Sequence, residues 1–196
     1  MPEKSPPLLI QRFTGPRSQI RVFFELADDS PSEIDGYIEA GEVLVARRGD
    51  VVVGHVQFIP SGVHWEIKSV AVSEQFQGQG IGTALIRSVL QRAALEGCIE
   101  VAAGTATADI GTLRFYQRLG FRMDRIEHDV FTTERGYAPI EVNGIPVRDR
   151  VWFSKIVTSE RQPSPRRRRL ALIPLAPTDH SQFRSGNIRQ HGQHFD

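Results

Sequence analysis

Three glycines at alternate positions in Gln77-Gly78-Gln79-Gly80-Ile81-Gly82-Thr83 constrain this chain more than any other feature. The segment joins an apolar stretch, residues 67–72, to residues 81–96, whose apolar positions recur at helical spacing. A loop without Cβ atoms on one side wraps closely around an anion and turns its backbone N–H groups inward. The helix that follows brings its own unpaired N–H groups and positive dipole end to the same point. The segment therefore reads as a pyrophosphate cradle, with a ligand-free tight turn as the alternative. No Gly-Lys-Ser/Thr follows, so it is not a nucleotide P-loop, and a dinucleotide fingerprint begun at Gly78 would need glycine where Thr83 stands.

The rest of the pattern supplies a fold around that turn. Residues 8–14 read as a strand and 18–27 as a helix carrying Ile20, Phe23, Phe24 and Ala27. Ser30 caps a second helix, with Pro31 at its first position and Glu33 three residues after the cap. Residues 42–48 and 51–59 form a hairpin about Gly49-Asp50, and 64–72 follow after Ser61-Gly62. Gly97 closes the helix 81–96, residues 98–103 are a strand, and Asp109 caps a helix over 110–119 that Gly120 ends. Strands at 121–127 and 150–157 flank a long loop, 129–149, containing Gly136 and Gly144. Hairpins followed by βαβα units predict an α/β fold with a mixed sheet and helices on both faces.

Composition sets limits on function. Cys98 is the one cysteine of 196 residues, which excludes an internal disulfide framework and a multi-cysteine zinc site. It begins an apolar run and reads as a buried structural thiol rather than a nucleophile. No apolar run reaches the ~18 residues of a membrane span, and Met-Pro-Glu-Lys-Ser-Pro-Pro lacks a signal peptide's apolar core. These features predict a cytoplasmic protein with no membrane partner and no metal. From Glu160 onward seven arginines outnumber three acids, so a mildly acidic body carries a basic tail. Residues 159–196 are predicted to be largely disordered and the N-terminus, 1–7, flexible. The run Arg166–Arg169 is the one feature pointing to nucleic acid or an acidic partner.

Gln77, Gly80 and Gly82, entered from Val70-Ala71-Val72, fit the pattern Gln/Arg-x-x-Gly-x-Gly. That pattern resembles motif A of the GCN5-related N-acetyltransferases (GNAT), which bind the pyrophosphate of acetyl-CoA. Arg114-Phe115-Tyr116-Gln117-Arg118-Leu119-Gly120-Phe121 is similar to the family's motif B, and Trp65-Glu66-Ile67-Lys68-Ser69-Val70-Ala71-Val72 looks like its central strand. The resemblance spans residues 8–158 and implies a mostly antiparallel sheet of about seven strands with acetyl-CoA as co-substrate and no metal. It implies cofactor contacts from Val70, Ala71, Val72, Gln77, Gly78, Gln79, Gly80, Ile81, Gly82, Thr83 and Asp109. It also makes Glu66 the general base and Tyr116 the acid that meets the departing sulfur. Motif B often has asparagine where this chain has Asp109, which suits a helix cap better than a phosphate contact. Other roles stay open. Glu66 is otherwise a strand glutamate paired with Lys68 or an arginine, and Tyr116 a packed helix tyrosine.

For the acceptor, the sequence offers Asp28, Asp29, Glu33 and Asp35 near the first helices and Asp129, Glu134 and Glu141 on the long loop. Acids there favour a small cationic amine. A long loop folded over the cleft, mobile at Gly136 and Gly144, would obstruct a peptide; alternatively it builds a homodimer interface. The rival function classes are a CoA-binding sensor without turnover and an acetyltransferase acting on proteins or peptides.

Overall fold

The computed structural model describes residues 6–157. The predicted tail from 159 onward, with Arg166–Arg169, lies outside the described residues, as do residues 1–5 of the N-terminus. A seven-stranded sheet runs in the order β1-β2-β3-β4-β5-β9-β6. Its strands are β1 (Leu8–Arg12), β2 (Glu42–Arg48), β3 (Val51–Ser61), β4 (His64–Val72), β5 (Glu100–Ala106), β6 (Arg122–Glu127) and β9 (Arg150–Ile156). Only β4 and β5 pair in parallel; every other neighbour is antiparallel. The long loop contains a small separate hairpin, β7 (Glu141–Val142) with β8 (Ile145–Pro146), which its glycines and prolines concealed.

Strand alternation feeds two cores, one on each face. Leu44 and Ala46 of β2 join Phe58, Trp65 and Ile67 beneath α3 (Ile81–Leu95) and α4 (Ile110–Arg118). Val43 and Val45 point the other way, to Phe24 of α1 (Arg21–Glu25) and Ile34 of α2 (Pro31–Tyr37). The single helix expected over 18–27 is instead a 3-10 turn, Arg17–Ile20, followed by α1. Ser30 caps α2, its Oγ accepting from the Glu33 N–H at 3.4 Å. Cys98 is buried, its thiol donating to the carbonyls of Val63 and Glu100, and burial pushes that thiol up, the reverse of what a nucleophile needs.

Two features of β4 shape the cleft. Its pairing with β3 shifts at Lys68: Phe58 faces Ile67 and Gln57 faces Ser69, which leaves Lys68 as the extra residue of a bulge. Trp65 and Ile67 therefore face α3, and after the bulge Val70 and Val72 do so too. Ser69 lies on the α1 face, where its hydroxyl meets Nε2 of the buried His55 at 3.0 Å. The second feature is divergence. β4 and β5 pair only from His64↔Glu100 to Ile67↔Ala103. Beyond that point β4 stays with β3 and β5 with β9, so the sheet splits into a wedge.

His55 makes stability depend on pH. It is fully buried, 4.5 Å from the Phe24 ring, and its pKa is lowered from 6.5 to about 3 by burial, with Arg17 adding to the effect. The folded protein keeps it neutral, whereas the unfolded chain protonates it below about 6.5. Its contribution is thus intact above pH 6.5 and is lost as pH falls from there toward 3. Urea unfolding is expected to show about 2 kcal/mol less stability at pH 5 than at pH 7. His55→Gln should flatten that slope; an equal slope in the variant would assign it to other groups.

Candidate active site

The wedge between the diverging strands opens into a cleft of about 810 Å³. Ser69–Val72 form one wall, Gly104 and Thr105 with Phe115 and Tyr116 the other, and the start of α3 the floor. The Ser73 N–H bonds the Val53 carbonyl at 3.0 Å, so alternation turns Ala71 toward β3 as well. Val70 and Val72 consequently present their amides and carbonyls to the open side, where β5 has moved away. The Ala71 backbone, by contrast, is spent on β3.

Gly80 is the residue before α3, at φ 78°, and no side chain caps the helix. The first intrahelical bond at this end is Ala84 N–H to Gly80 O, which leaves the N–H groups of Ile81, Gly82 and Thr83 for an anion. Gly78 and Gly80 both need positive φ, and a Cβ at either would meet nothing within 4 Å, so the hollow above them is open. Gly82 differs: its added Cβ would make ordinary contact with Phe115 at 3.5 Å. Gln77 lashes the loop to the strand, its Nε2 donating to Val72 O at 3.0 Å. Gln79 lies back on Gln75 O and lines neither cavity. Asp109 borders the cleft but is committed as the cap of α4, accepting from the Thr112 N–H at 2.9 Å and the Thr112 hydroxyl at 2.5 Å.

Tyr116 reaches the cleft from α4 with only 3 % of its surface exposed. Its ring packs against Phe115, Phe121 and Phe153 at 5.3–5.5 Å, and burial pushes its phenol above the ordinary value. It is both a packed tyrosine and a cleft-lining one. A raised phenol is a poorer proton donor but remains a neutral hydrogen-bond donor.

A second cavity of about 270 Å³ adjoins the first, and Ile67, Lys68, Gly104 and Thr105 line both. Glu66 belongs to this smaller cavity, with a third of its side chain exposed, 3.6 Å from Lys68 Nζ. The Lys68 ammonium also sits over the Tyr37 ring at 5.1 Å. Asp28 accepts from Tyr37 at 3.3 Å and also faces Tyr137, so that burial and this carboxylate raise both phenols. Of the acids expected near the acceptor, only Asp28 and Asp29 line the cavity beside Glu66. Asp35 pairs with Arg21 and Asp129 with Arg148, and Glu134 is held by neighbouring threonines. Several lining residues carried no sequence signal, among them Phe131, Tyr137, Arg150 and Trp152. The i,i+2 spacing of Arg150 and Trp152 places them on one face of a strand, the single cue available.

The long loop is a fixed wall. Ser30 Oγ donates to Arg135 O at 3.0 Å, and Val130 and Tyr137 are buried. Gly136, expected to be a hinge, has φ 80° because the loop closes on α2; a Cβ there would stand 2.6 Å from Ser32 Oγ.

The family model described as Acetyltransferase (GNAT) family matches residues 13–121. The uncharacterized N-acetyltransferase YvbK of Bacillus subtilis is 36 % identical over 129 residues, covering 64 % of this chain and 81 % of the relative. A GNAT family acetyltransferase from Elizabethkingia anophelis, solved with acetyl-CoA bound, is 31 % identical at a TM-score of 0.71, covering 76 % of this chain and 97 % of its own. A Bacillus subtilis acetyltransferase solved in complex with CoA is 30 % identical at a TM-score of 0.70, covering 78 % of this chain and 100 % of its own.

Proposed function

We propose that this chain, which belongs to the acetyltransferase (GNAT) family, moves an acetyl group from acetyl-CoA to the primary amine of a small molecule held in the smaller cavity. One observation carries the reading: an open, glycine-lined helix N-terminus leads along a split sheet into a second cavity bearing a carboxylate. The pyrophosphate sits on the N–H groups of Ile81, Gly82 and Thr83, with Gly78 and Gly80 allowing its approach. The pantetheine arm bonds the outward amides of Val70 and Val72 and the Val70 carbonyl as a missing strand would, the Val72 carbonyl being taken by Gln77.

The acceptor arrives as an ammonium ion. Neutralising an alkylamine of pKa near 10.4 at pH 7 costs about 4.6 kcal/mol. Glu66 takes that proton, directly or through a water, and Asp28 and Asp29 favour the cation's entry. The neutral nitrogen attacks the thioester carbon; the C–N bond forms, the C–S bond breaks, and the nitrogen's second proton ends on sulfur. Free phenol and thiol differ by about 1.5 pKa units, ~2 kcal/mol, against a full transfer from tyrosine. Burial of Tyr116 widens that gap, so its hydroxyl holds the developing thiolate by a hydrogen bond instead.

A small acceptor follows from the cavity. Its 270 Å³ lies just under the ~300–1,000 Å³ of drug-sized ligand sites, and the pinned loop supplies part of its wall. Thiol release from acetyl-CoA should be faster with small primary amines than with lysine peptides or peptide N-termini. Faster peptide turnover would assign the loop to another role, and no turnover with any amine would favour a CoA sensor.

A further inference from the structure

The acetyl transfer described above asks for a carboxylate in the smaller cavity. It does not ask for Arg150, yet this arginine is placed with care. It opens β9, and its aliphatic stem lies across Gly104 of β5. A Cβ on Gly104 would come within 2.8 Å of Arg150 Cδ and 3.4 Å of its Cγ. The glycine is what lets the stem lie flat. The guanidinium then sits over the rings of Phe131 at 5.5 Å and Trp152 at 5.4 Å, and 19 % of the side chain is exposed.

Its hydrogen bonds are unmade. The nearest carboxylate, Glu127, is 3.6 Å from Nη1, beyond hydrogen-bond range, and the same oxygen already accepts from Trp152 Nε1 at 3.0 Å. Among the described residues no acceptor bonds any of its five N–H groups. The stem is covered, but the fork is not sealed from solvent, so its N–H groups stay available to a ligand. The stacked fork is one face of a cavity.

Asp28 and Glu66 line the same cavity, and Phe131, Tyr137, Ile140 and Trp152 supply apolar wall. Lys68, the other cation, is engaged by Glu66 and the Tyr37 ring and lies where the two cavities join. A cation, carboxylates and apolar wall lining one small cavity suit a zwitterion with a hydrophobic side chain, whose two charges sit on one carbon.

We propose that the acceptor is a free amino acid with an apolar or aromatic side chain, its carboxylate held by Arg150 and its amine delivered to Glu66. This rests on the smaller cavity being the acceptor site. The guanidinium fork matches a carboxylate in two parallel hydrogen bonds, which a lysine in its place would not. The reaction balances as amino acid plus acetyl-CoA giving N-acetyl amino acid, CoA and one proton. Acetylation removes the ammonium charge that Asp28 and Glu66 attract, so the product is held only at its carboxylate end.

The test compares matched acceptors on the full chain: phenylalanine with phenethylamine, and leucine with isopentylamine. Wild type should show kcat/KM about 100-fold higher for the amino acid than for its decarboxylated partner, the discrimination a charged, hydrogen-bonded pair carries. Arg150→Gln should collapse that ratio to near unity, mainly through KM for the amino acid. Gly104→Ala, which pushes the stem aside without removing the charge, should lower the ratio as well, and thermal melting reports whether either variant is folded. Calorimetry of phenylalanine into the CoA-loaded protein reads the carboxylate contact without chemistry. Amines and amino acids turned over alike, or a ratio unmoved in Arg150→Gln, would overturn the assignment and leave the acetyltransferase reading intact. Phenylalanine bound through Arg150 but no acceptor turned over would keep the contact and sink the proposed reaction. No phenylalanine binding overturns the inference outright.

Discussion

Glu66→Gln is expected to lower kcat by about 10²–10⁴-fold, the range a positioned general base supplies. CoA affinity should hold, because Glu66 lines the smaller cavity and not the cleft. The cause is the ammonium proton, whose removal at neutral pH costs about 4.6 kcal/mol for an ordinary alkylamine. Glu66 is partly exposed, beside Lys68 at 3.6 Å, so it can both take a proton and pass it to water. Glutamine keeps the shape and loses the basicity. The residual rate of the variant should therefore climb with pH toward the amine's own ionisation near ~10, where wild type has already levelled. Tyr116→Phe should cost less, about 10–100-fold, since it deletes one hydrogen bond to a developing charge and leaves the aromatic packing with Phe121 and Phe153. If Glu66→Gln keeps wild-type kcat and an unchanged pH profile, the carboxylate is only Lys68's partner.

The elements legible in the sequence are those whose signal is local. Glu42–Arg48 and the start of α3 at Ile81 fall where the hairpin signal at Gly49-Asp50 and the glycine spacing place them. The caps at Ser30 and Asp109 follow from residue type alone. What stayed hidden depends on partners distant in the chain. The bulge at Lys68 is a fact about the pairing of β4 with β3; it turns Ser69 to the α1 face and Val70 to the α3 face, and no residue type announces it. The wedge exists because β5 follows β9 away from β4, a contact across some fifty residues of sequence. Gly104 falls just beyond the strand read over 98–103, and no residue type announces that the Arg150 stem lies on it. The acids misled for the same reason. Asp28 lines the cavity while Asp35 is spent on Arg21 and Asp129 on Arg148, and only the fold separates them. Gly136 read as a hinge because glycine in a long loop usually is one; here it is the point of closest approach to α2.

Gly80→Trp is expected to abolish detectable CoA binding, a loss of at least ~100-fold or about 2.7 kcal/mol. Two effects have to be told apart. Gly80 adopts φ 78°, so any L side chain there strains the turn by roughly 1–2 kcal/mol. The same side chain also projects into the open hollow where a Cβ meets nothing within 4 Å, in front of the free N–H groups of Ile81, Gly82 and Thr83. Gly62 provides the control. It lies in the β3–β4 turn at φ 57°, likewise with nothing within 4 Å of an added Cβ, and lines neither cavity. Gly62→Trp should therefore lose a comparable amount of stability and keep its affinity for CoA, which separates backbone strain from occupation of the cradle. Calorimetric titration of CoA into both variants, alongside their melting temperatures, makes the comparison. Affinity within a few-fold of wild type in Gly80→Trp would take the pyrophosphate away from the start of α3, because an indole and a pyrophosphate cannot share that hollow.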